Sequence, residues 1–268
     1  ADAGDEVFAG YNRYDYLMRY GKKMEQLPGF VRKSMAGMME LIPSERIPVL
    51  KNKYNFHNRY EKLKGILRNP SSEQIMLSLS QQYTDEQLKA VLTNTNFDAL
   101  STHYKSKELK AEFSTPLAYM MAIDYQTYLL DDILQKVDRA TMTASLEGRE
   151  PFLDHRVIEW AATLPDDFKY HNGEKKYILK EIVHDYIPKE MMDRPKMGFA
   201  IPIAHWLQND LRELVEEHIS EKNIREQGLF NWEFVAKLKA DFFGGKKEFD
   251  VKLWYLLMFQ MWYKKWID

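Results

Sequence analysis

The sequence predicts a predominantly α-helical fold, and three observations carry that reading. Apolar residues recur at helical spacing in almost every run long enough to bury a face. The prolines fall between those runs. No stretch of useful length alternates apolar and polar residues as a half-buried strand does. With 268 residues and 45% hydrophobic content the chain has ample side chains for a core. It shows neither internal repeat nor low-complexity tract, so one helical domain over residues 1–268 is expected.

Taken in order, residues from about Glu6 to Met24 read as a helix entry followed by an aromatic and basic segment, Phe8, Tyr11, Arg13, Tyr14, Tyr16 and Tyr20. Pro28, Pro43 and Pro48 then enforce short helices joined by turns. Asn69-Pro70-Ser71-Ser72-Glu73 is a turn leading into Ile75, Met76 and Leu79, and Thr84 with Gln87 has the form of a capping box. Thr115-Pro116 is an N-cap and N1 pair opening a long helix that runs through Leu117, Met120, Tyr125 and Ile133 to near Asp138. Further helices are expected over Arg156 to Thr163, Lys175 to Tyr186, Ile203 to Ile219, Trp232 to Phe243 and Lys252 to Trp266. The aromatic residues of the last, Trp254, Phe259, Trp262 and Trp266, recur at helical spacing and suit core packing, with a partner surface as the alternative.

Composition narrows the function. A net charge of −2 leaves no basic field for nucleic acid, and no apolar run approaches the roughly 18 residues of a membrane span. The absence of cysteine removes disulfides, thiolate nucleophiles and Cys-ligated zinc, and it fits a reducing, cytoplasmic setting. The seven histidines form no His-Glu-x-x-His spacing, and no Gly-x-Ser-x-Gly elbow is present, so neither a zinc hydrolase nor a serine triad is expected. The acidic start at Ala1-Asp2, without an initiator Met, reads as the interior of something longer.

Four stretches carry candidate chemistry. Asp2-Ala3-Gly4-Asp5-Glu6 places three carboxylates around small residues, which lets backbone approach a phosphate while acids hold a metal ion, or else caps the next helix. From Tyr128 to Arg156 come Asp132 and Asp138 on a helix, either solvated or bordering a site, and then Glu147, Arg149 and Asp154, read as a buried ion-pair and capping network. Lys176 stands at a helix start before Ile178-Leu179, where a cation can reach a phosphate or simply be solvated. Arg194-Pro195-Lys196-Met197-Gly198-Phe199 presents two cations on a proline-stiffened loop, a better phosphate clamp.

Those strings resemble the asparagine synthetase family. Asp5-Glu6-Val7-Phe8-Ala9-Gly10-Tyr11 is similar to the family's Asp-Glu-Leu-Phe-Gly-Gly-Tyr. The run from Tyr128 through Val137-Asp138-Arg139 and Glu147-Gly148-Arg149-Glu150-Pro151-Phe152-Leu153-Asp154 follows its signature. Lys176-x-Ile-Leu and Arg194-x-Lys196-x-Gly-Phe-x-x-Pro202 match two further elements. The resemblance covers residues 1 to about 207. It implies the helical C-terminal portion of an ATP-pyrophosphatase (α/β) synthetase domain whose parallel sheet lies upstream, with the Ser-Gly-Gly-x-Asp-Ser loop and the N-terminal glutaminase domain absent from this chain. It implies an amide-forming ligase using ATP and Mg2+: the aspartate side-chain carboxylate is adenylated, and glutamine-derived ammonia displaces AMP. Asp5 is then the metal residue, Lys196, Asp2 and Glu6 the catalytic set, Lys176 and Arg194 the ATP and pyrophosphate cations, and Asp132 and Asp138 the substrate pocket. Lys196, Lys176 and Asp5 are expected in one cleft. A homodimer is admitted as its assembly. The isolated fragment is expected to be inactive. Alternatives are a related amidotransferase acting on a sugar or other carboxylate, or a noncatalytic helical module that binds a partner through its aromatic C-terminal helix or Met35–Met39.

Overall fold

The structure is a computed structural model and describes residues 2–42, 44–48, 56–94, 104, 106–192, 201–246 and 249–267. Helices dominate it, as the apolar periodicity requires. The only strands among the described residues are Tyr170–His171 and Glu174–Lys175, an antiparallel pair. Contacts divide the chain into two compact units, a finer organisation than one domain: Ala1–Met35, Gly65–Leu79 and Ser101–Lys196 form the first, Ala36–Lys64, Ser80–Leu100 and Met197–Asp268 the second.

In the first unit the Pro116–Gln126 helix is the central rod. Thr115 accepts from the Ala118 N–H and Pro116 occupies the first turn, where its missing N–H leaves no bond unmade. Leu117, Tyr119, Met120, Ile123 and Asp124 are all buried, so the rod is covered nearly all round. The long helix expected to reach Asp138 is interrupted. Thr127 leaves helical geometry, its hydroxyl donating to the Ile123 carbonyl, and the chain continues as a π-helical turn, Leu129–Leu134, before the Gln135–Met142 helix. One core gathers Tyr14, Leu17, Ile66, Ile75 and Met76 against Leu117, Met120 and Ile123; another joins Ala3, Val7 and Phe8 to Leu129 and Ala161.

The helix expected to start at Lys175 starts at Tyr177, because Glu174 and Lys175 belong to the hairpin. Its turn is Asn172-Gly173, both at positive φ (48° and 89°), a two-residue connection matched to strand twist. The Arg19 guanidinium donates to the Gly173 carbonyl, and the Tyr170 hydroxyl to Asp15, which also takes the Arg19 ion pair. The hairpin is thereby tied to the N-terminal segment.

In the second unit the predicted capping box forms, Thr84 and Gln87 bonding each other reciprocally at the start of Asp85–Val91. The Trp232–Phe243 helix has the expected bounds, capped by Asn231, and the last helix runs Asp250–Trp266. The helix expected over Ile203–Ile219 is two, Ile203–Gln208 and Arg212–His218, because Asn209 turns its amide back onto the His205 carbonyl and leaves helical geometry. Leu207, Val215, Ile219, Val235, Phe242, Leu253 and Leu257 form the core of this unit. No described helix is long and apolar enough to cross a membrane.

Candidate active site

The first unit brings Asp5 and Lys176 together across most of the chain. Lys176 Nζ lies 3.0 Å from Asp5 Oδ1, and both side chains remain partly open to solvent, 32% and 26%. Backbone geometry dictates the meeting. Asp5 sits in the single turn Gly4–Val7, whose end is closed by the Gly10 N–H donating to the Asp5 carbonyl. The Lys176 N–H donates to the Phe8 carbonyl, which fixes the hairpin exit against the same loop. A Cβ on Gly10 would stand 1.8 Å from Asp5 Oδ1 and 2.2 Å from Lys176 Cε, so any other residue there would have to displace both side chains from this meeting. A Cβ on Gly4 would press on the Phe152 ring at 3.1 Å, and Phe152 itself packs edge-on against Phe8 at 5.5 Å.

Three residues of this site are held in left-handed backbone: Ala3 (φ 67°), Ala9 (φ 56°) and Lys176 (φ 54°). For residues bearing a Cβ each costs roughly 1–2 kcal/mol. A half-exposed ion pair is worth at most about 1 kcal/mol. The arrangement is not explained by stability, and strain concentrated beside an accessible acid and cation makes this the candidate functional site. Lys176 also caps the Tyr177–His184 helix, whose free N–H groups add to the positive field.

Behind this pair lies an aromatic and ionic layer. Glu6 is 2% exposed and accepts from the Tyr11 hydroxyl at 2.5 Å. Burial raises its carboxyl above the ordinary range, against that hydrogen bond. The Arg13 guanidinium stacks on Tyr11 at 4.5 Å and Tyr128 at 4.9 Å, and pairs with fully buried Asp124 at 2.8 Å. The Tyr14 hydroxyl donates to the same Asp124 oxygen. Burial pushes the Asp124 carboxyl up to about 6, though Arg13 opposes the shift. Burial, and then the nearby Asp132 charge, raise the Tyr128 hydroxyl above its ordinary range.

The other predicted residues divide. Asp2 donates its N–H to Glu150 Oε2 at 3.2 Å, which places it beside Pro151-Phe152 and hence near the pair. Asp132 pairs at the surface with Lys136, and of the site residues its charge acts on Tyr128. Asp138 is exposed on the Gln135–Met142 helix and is not brought to Asp5 or Lys176 by any described contact. The expected buried network of Glu147, Arg149 and Asp154 is corrected: Arg149 and Glu147 pair with each other at 82% and 68% exposure. Asp154 caps the His155–Thr163 helix through the Arg156 N–H, and the Arg156 guanidinium holds its carboxyl below the usual range. These loop charges reach each other in water, so no burial is needed to satisfy them. Arg194 and Lys196 lie outside the described residues. Sequence reasoning passed over Gly10, Tyr11 and Glu150 as site residues. The small Ala9-Gly10 pair shortly after the Asp5-Glu6 acids was the available signal for the first.

Metal binding was assigned to Asp5. Among the described residues no three His, Asp or Glu side chains gather as a protein-built metal site. One accessible carboxylate does fit an ion that arrives with its other oxygens supplied by phosphates, as Mg2+ commonly does.

The sequence matches the family described as asparagine synthase over residues 1–264. The chain belongs to the asparagine synthase family. Among curated relatives, asparagine synthetase [glutamine-hydrolyzing] 1 of Bacillus subtilis is 28% identical over 98% of this chain and 39% of its own length. A putative asparagine synthetase [glutamine-hydrolyzing] of Mycobacterium bovis is 29% identical over all of this chain and 39% of its own. The human asparagine synthetase [glutamine-hydrolyzing] is 35% identical over 35% of this chain and 17% of its length. This member of the family thus spans about two fifths of the relatives that it matches end to end. No solved structure matches it.

Proposed function

We propose that this asparagine synthase family chain carries the pyrophosphate side of an amide-forming ligase that adenylates the side-chain carboxylate of aspartate. A carboxylate oxygen attacks the α-phosphorus of ATP, the bond to the bridging oxygen breaks, and acyl-AMP and pyrophosphate result. Glutamine-derived ammonia then adds to the acyl carbon, loses a proton, and expels AMP to leave the amide. The observation that carries the reading is the Asp5–Lys176 pair, closed over Gly10 and left accessible in a strained loop. Lys176 would neutralise charge accumulating on the departing pyrophosphate, and Asp5 would be the residue that holds the accompanying Mg2+. Bound Mg2+ supplies charge neutralisation at the phosphate oxygens. Asp2 and Glu6 flank Asp5 on the substrate side, Glu6 acting from within through Tyr11. Arg194 and Lys196 add further cations, Asp132 and Asp138 border the substrate pocket, and the setting is cytoplasmic.

The test is aspartate-dependent exchange of labelled pyrophosphate into ATP, measured on the full-length protein. Lys176→Met is expected to reduce it on the order of 100-fold to 1000-fold through kcat. Exchange within twofold of the unsubstituted protein would remove Lys176 from the chemistry. Exchange driven by a sugar acid but not aspartate would move the substrate assignment and leave the site. This chain alone is expected to release no pyrophosphate, because it has no Ser-Gly-Gly-x-Asp-Ser loop to grip it.

A further inference from the structure

On the side of the Gly4–Val7 turn that Glu6 faces, the first unit holds a cavity of about 220 Å3. Its walls are apolar, with Val7, Phe113, Met121 and Ile158 among them, and only three polar side chains, Glu6, Gln126 and Lys169, reach it beside the Tyr125 ring. Lys169 ends the short Asp166–Lys169 helix and is 4% exposed. It makes no ion pair or hydrogen bond with a described residue; only the more distant charge of Asp166 acts on it, while burial lowers its affinity for a proton. Glu6, by contrast, is already held by Tyr11. The pair at Asp5 and Lys176 is therefore accompanied by a second acid, one position along the turn, and a second cation, just before the other strand at the same open end of the hairpin, that do not satisfy each other.

A lysine buried along its stem, whose ammonium has no anionic partner among the described residues, is less favourable than an apolar side chain of similar volume in the same space. A lysine among the lining residues of an apolar cavity suits an anion that arrives with its own apolar body. We infer that this cavity binds a small carboxylic acid with an aliphatic or aromatic body, its carboxylate on Lys169 and its body against Met121, Phe113 and Ile158. The occupant contacts the turn that presents Asp5, so its presence stiffens the phosphate-facing side without touching it. Glu6 accepts any hydrogen-bond donor the occupant carries.

Equilibrium dialysis of this chain against labelled phenylacetate decides the matter, with neutral phenylacetamide as competitor. Expected is saturable binding of one phenylacetate per chain, displaced by the amide only at concentrations about tenfold higher or more. Lys169→Met should weaken phenylacetate at least about tenfold while leaving phenylacetamide unchanged. Met121→Trp keeps the ammonium but fills the cavity, and it should abolish both. Lys176→Met should bind phenylacetate like the unsubstituted chain, so failure of the phosphate-site reading and failure of this one are separable. Circular dichroism verifies that each variant is folded; if Lys169→Met does not fold, the Met121→Trp result decides alone. No saturable binding, equal affinity for acid and amide, or binding that survives both substitutions would overturn the inference.

Discussion

The two compact units fill their interiors differently. In the second, Leu207, Val215, Ile219, Ile224, Val235, Phe242, Leu253 and Leu257 are entirely buried, and the described buried polar residues are Ser44, Lys252 and Gln260. In the first, Glu6, Asp124 and Lys169 are buried charges, and Tyr14 and Arg13 join them. All the described non-glycine residues at positive φ, namely Ala3, Ala9, Ser145, Asn172 and Lys176, lie there too. Apolar packing in unstrained helices lowers free energy everywhere it occurs; buried charge and left-handed backbone raise it. The first unit carries all of the left-handed strain and most of the buried charge, whereas Lys252 is the one charged residue buried among those described in the second, so the proposed chemistry is expected to depend on the first unit and overall stability on the second.

The largest effect expected from this contrast is at Gly10. Gly10→Ala drives a methyl into Asp5 and Lys176, so pyrophosphate exchange by the full-length protein should fall about 100-fold or more. Should activity survive, the pair is not needed in this geometry. Leu257→Ala, a cavity in the second core, should instead cost about 2–5 kcal/mol of stability in denaturant unfolding. Exchange well below the unfolding temperature should stay within twofold. A collapse of exchange in a folded Leu257→Ala protein would break the division of labour.

Lys252 offers a pH test within the apolar unit. It is 6% exposed, donates to Gln87 Oε1 at 2.9 Å and lies over the Tyr83 ring at 5.2 Å; burial pushes it down to about 8. A folded value below the unfolded 10.5 means that unfolding takes up a proton between those limits. Its contribution to stability is therefore fully present above about 10.5 and is lost as pH falls through about 8, with an upper bound of roughly 3 kcal/mol. Lys252→Met, which gives up the Gln87 bond, should gain about 1–2 kcal/mol at pH 7, and the gain should shrink as pH approaches 10. Calorimetry across that range checks it, and a pH-independent difference would show that the buried ammonium is not the cause.

Much of this was readable in the sequence where the signal is local. The Thr84–Gln87 box, the Thr115-Pro116 start and the Trp232–Phe243 helix each rest on neighbours along the chain, and each formed. The breaks at Thr127 and Asn209 were not read, because a side chain bonding back to a carbonyl four residues earlier leaves the apolar period intact. The Asn172-Gly173 hairpin was readable and overlooked: strands of two residues have no alternation to see, but the dipeptide is a turn signal by itself. At the site, Asp5 and Lys176 were named from their strings. Their contact, the need for glycine at Gly10 and the isolation of Lys169 depend on segments distant in sequence, which periodicity does not report. Glu147 and Arg149 were misplaced for the opposite reason, since charges next to an apolar Phe-Leu pair need not follow it inward.

The smallest effect is also the most direct measure of the strain. Ala9 is buried at φ 56°, whereas Ala236 lies within the right-handed Trp232–Phe243 helix. The same substitution acts on opposite backbones. Ala236→Gly loosens a helix interior and should cost about 1 kcal/mol. Ala9→Gly loses a buried methyl, worth about 0.8 kcal/mol, and some backbone entropy, but it removes a left-handed penalty of roughly 1–2 kcal/mol. Its net effect should therefore lie within about 0.5 kcal/mol of zero, leaving the two substitutions about 1 kcal/mol apart in denaturant unfolding. Equal losses at both positions would mean that the loop holding Asp5 stores no strain. The difference between the units would then rest on their buried charges alone.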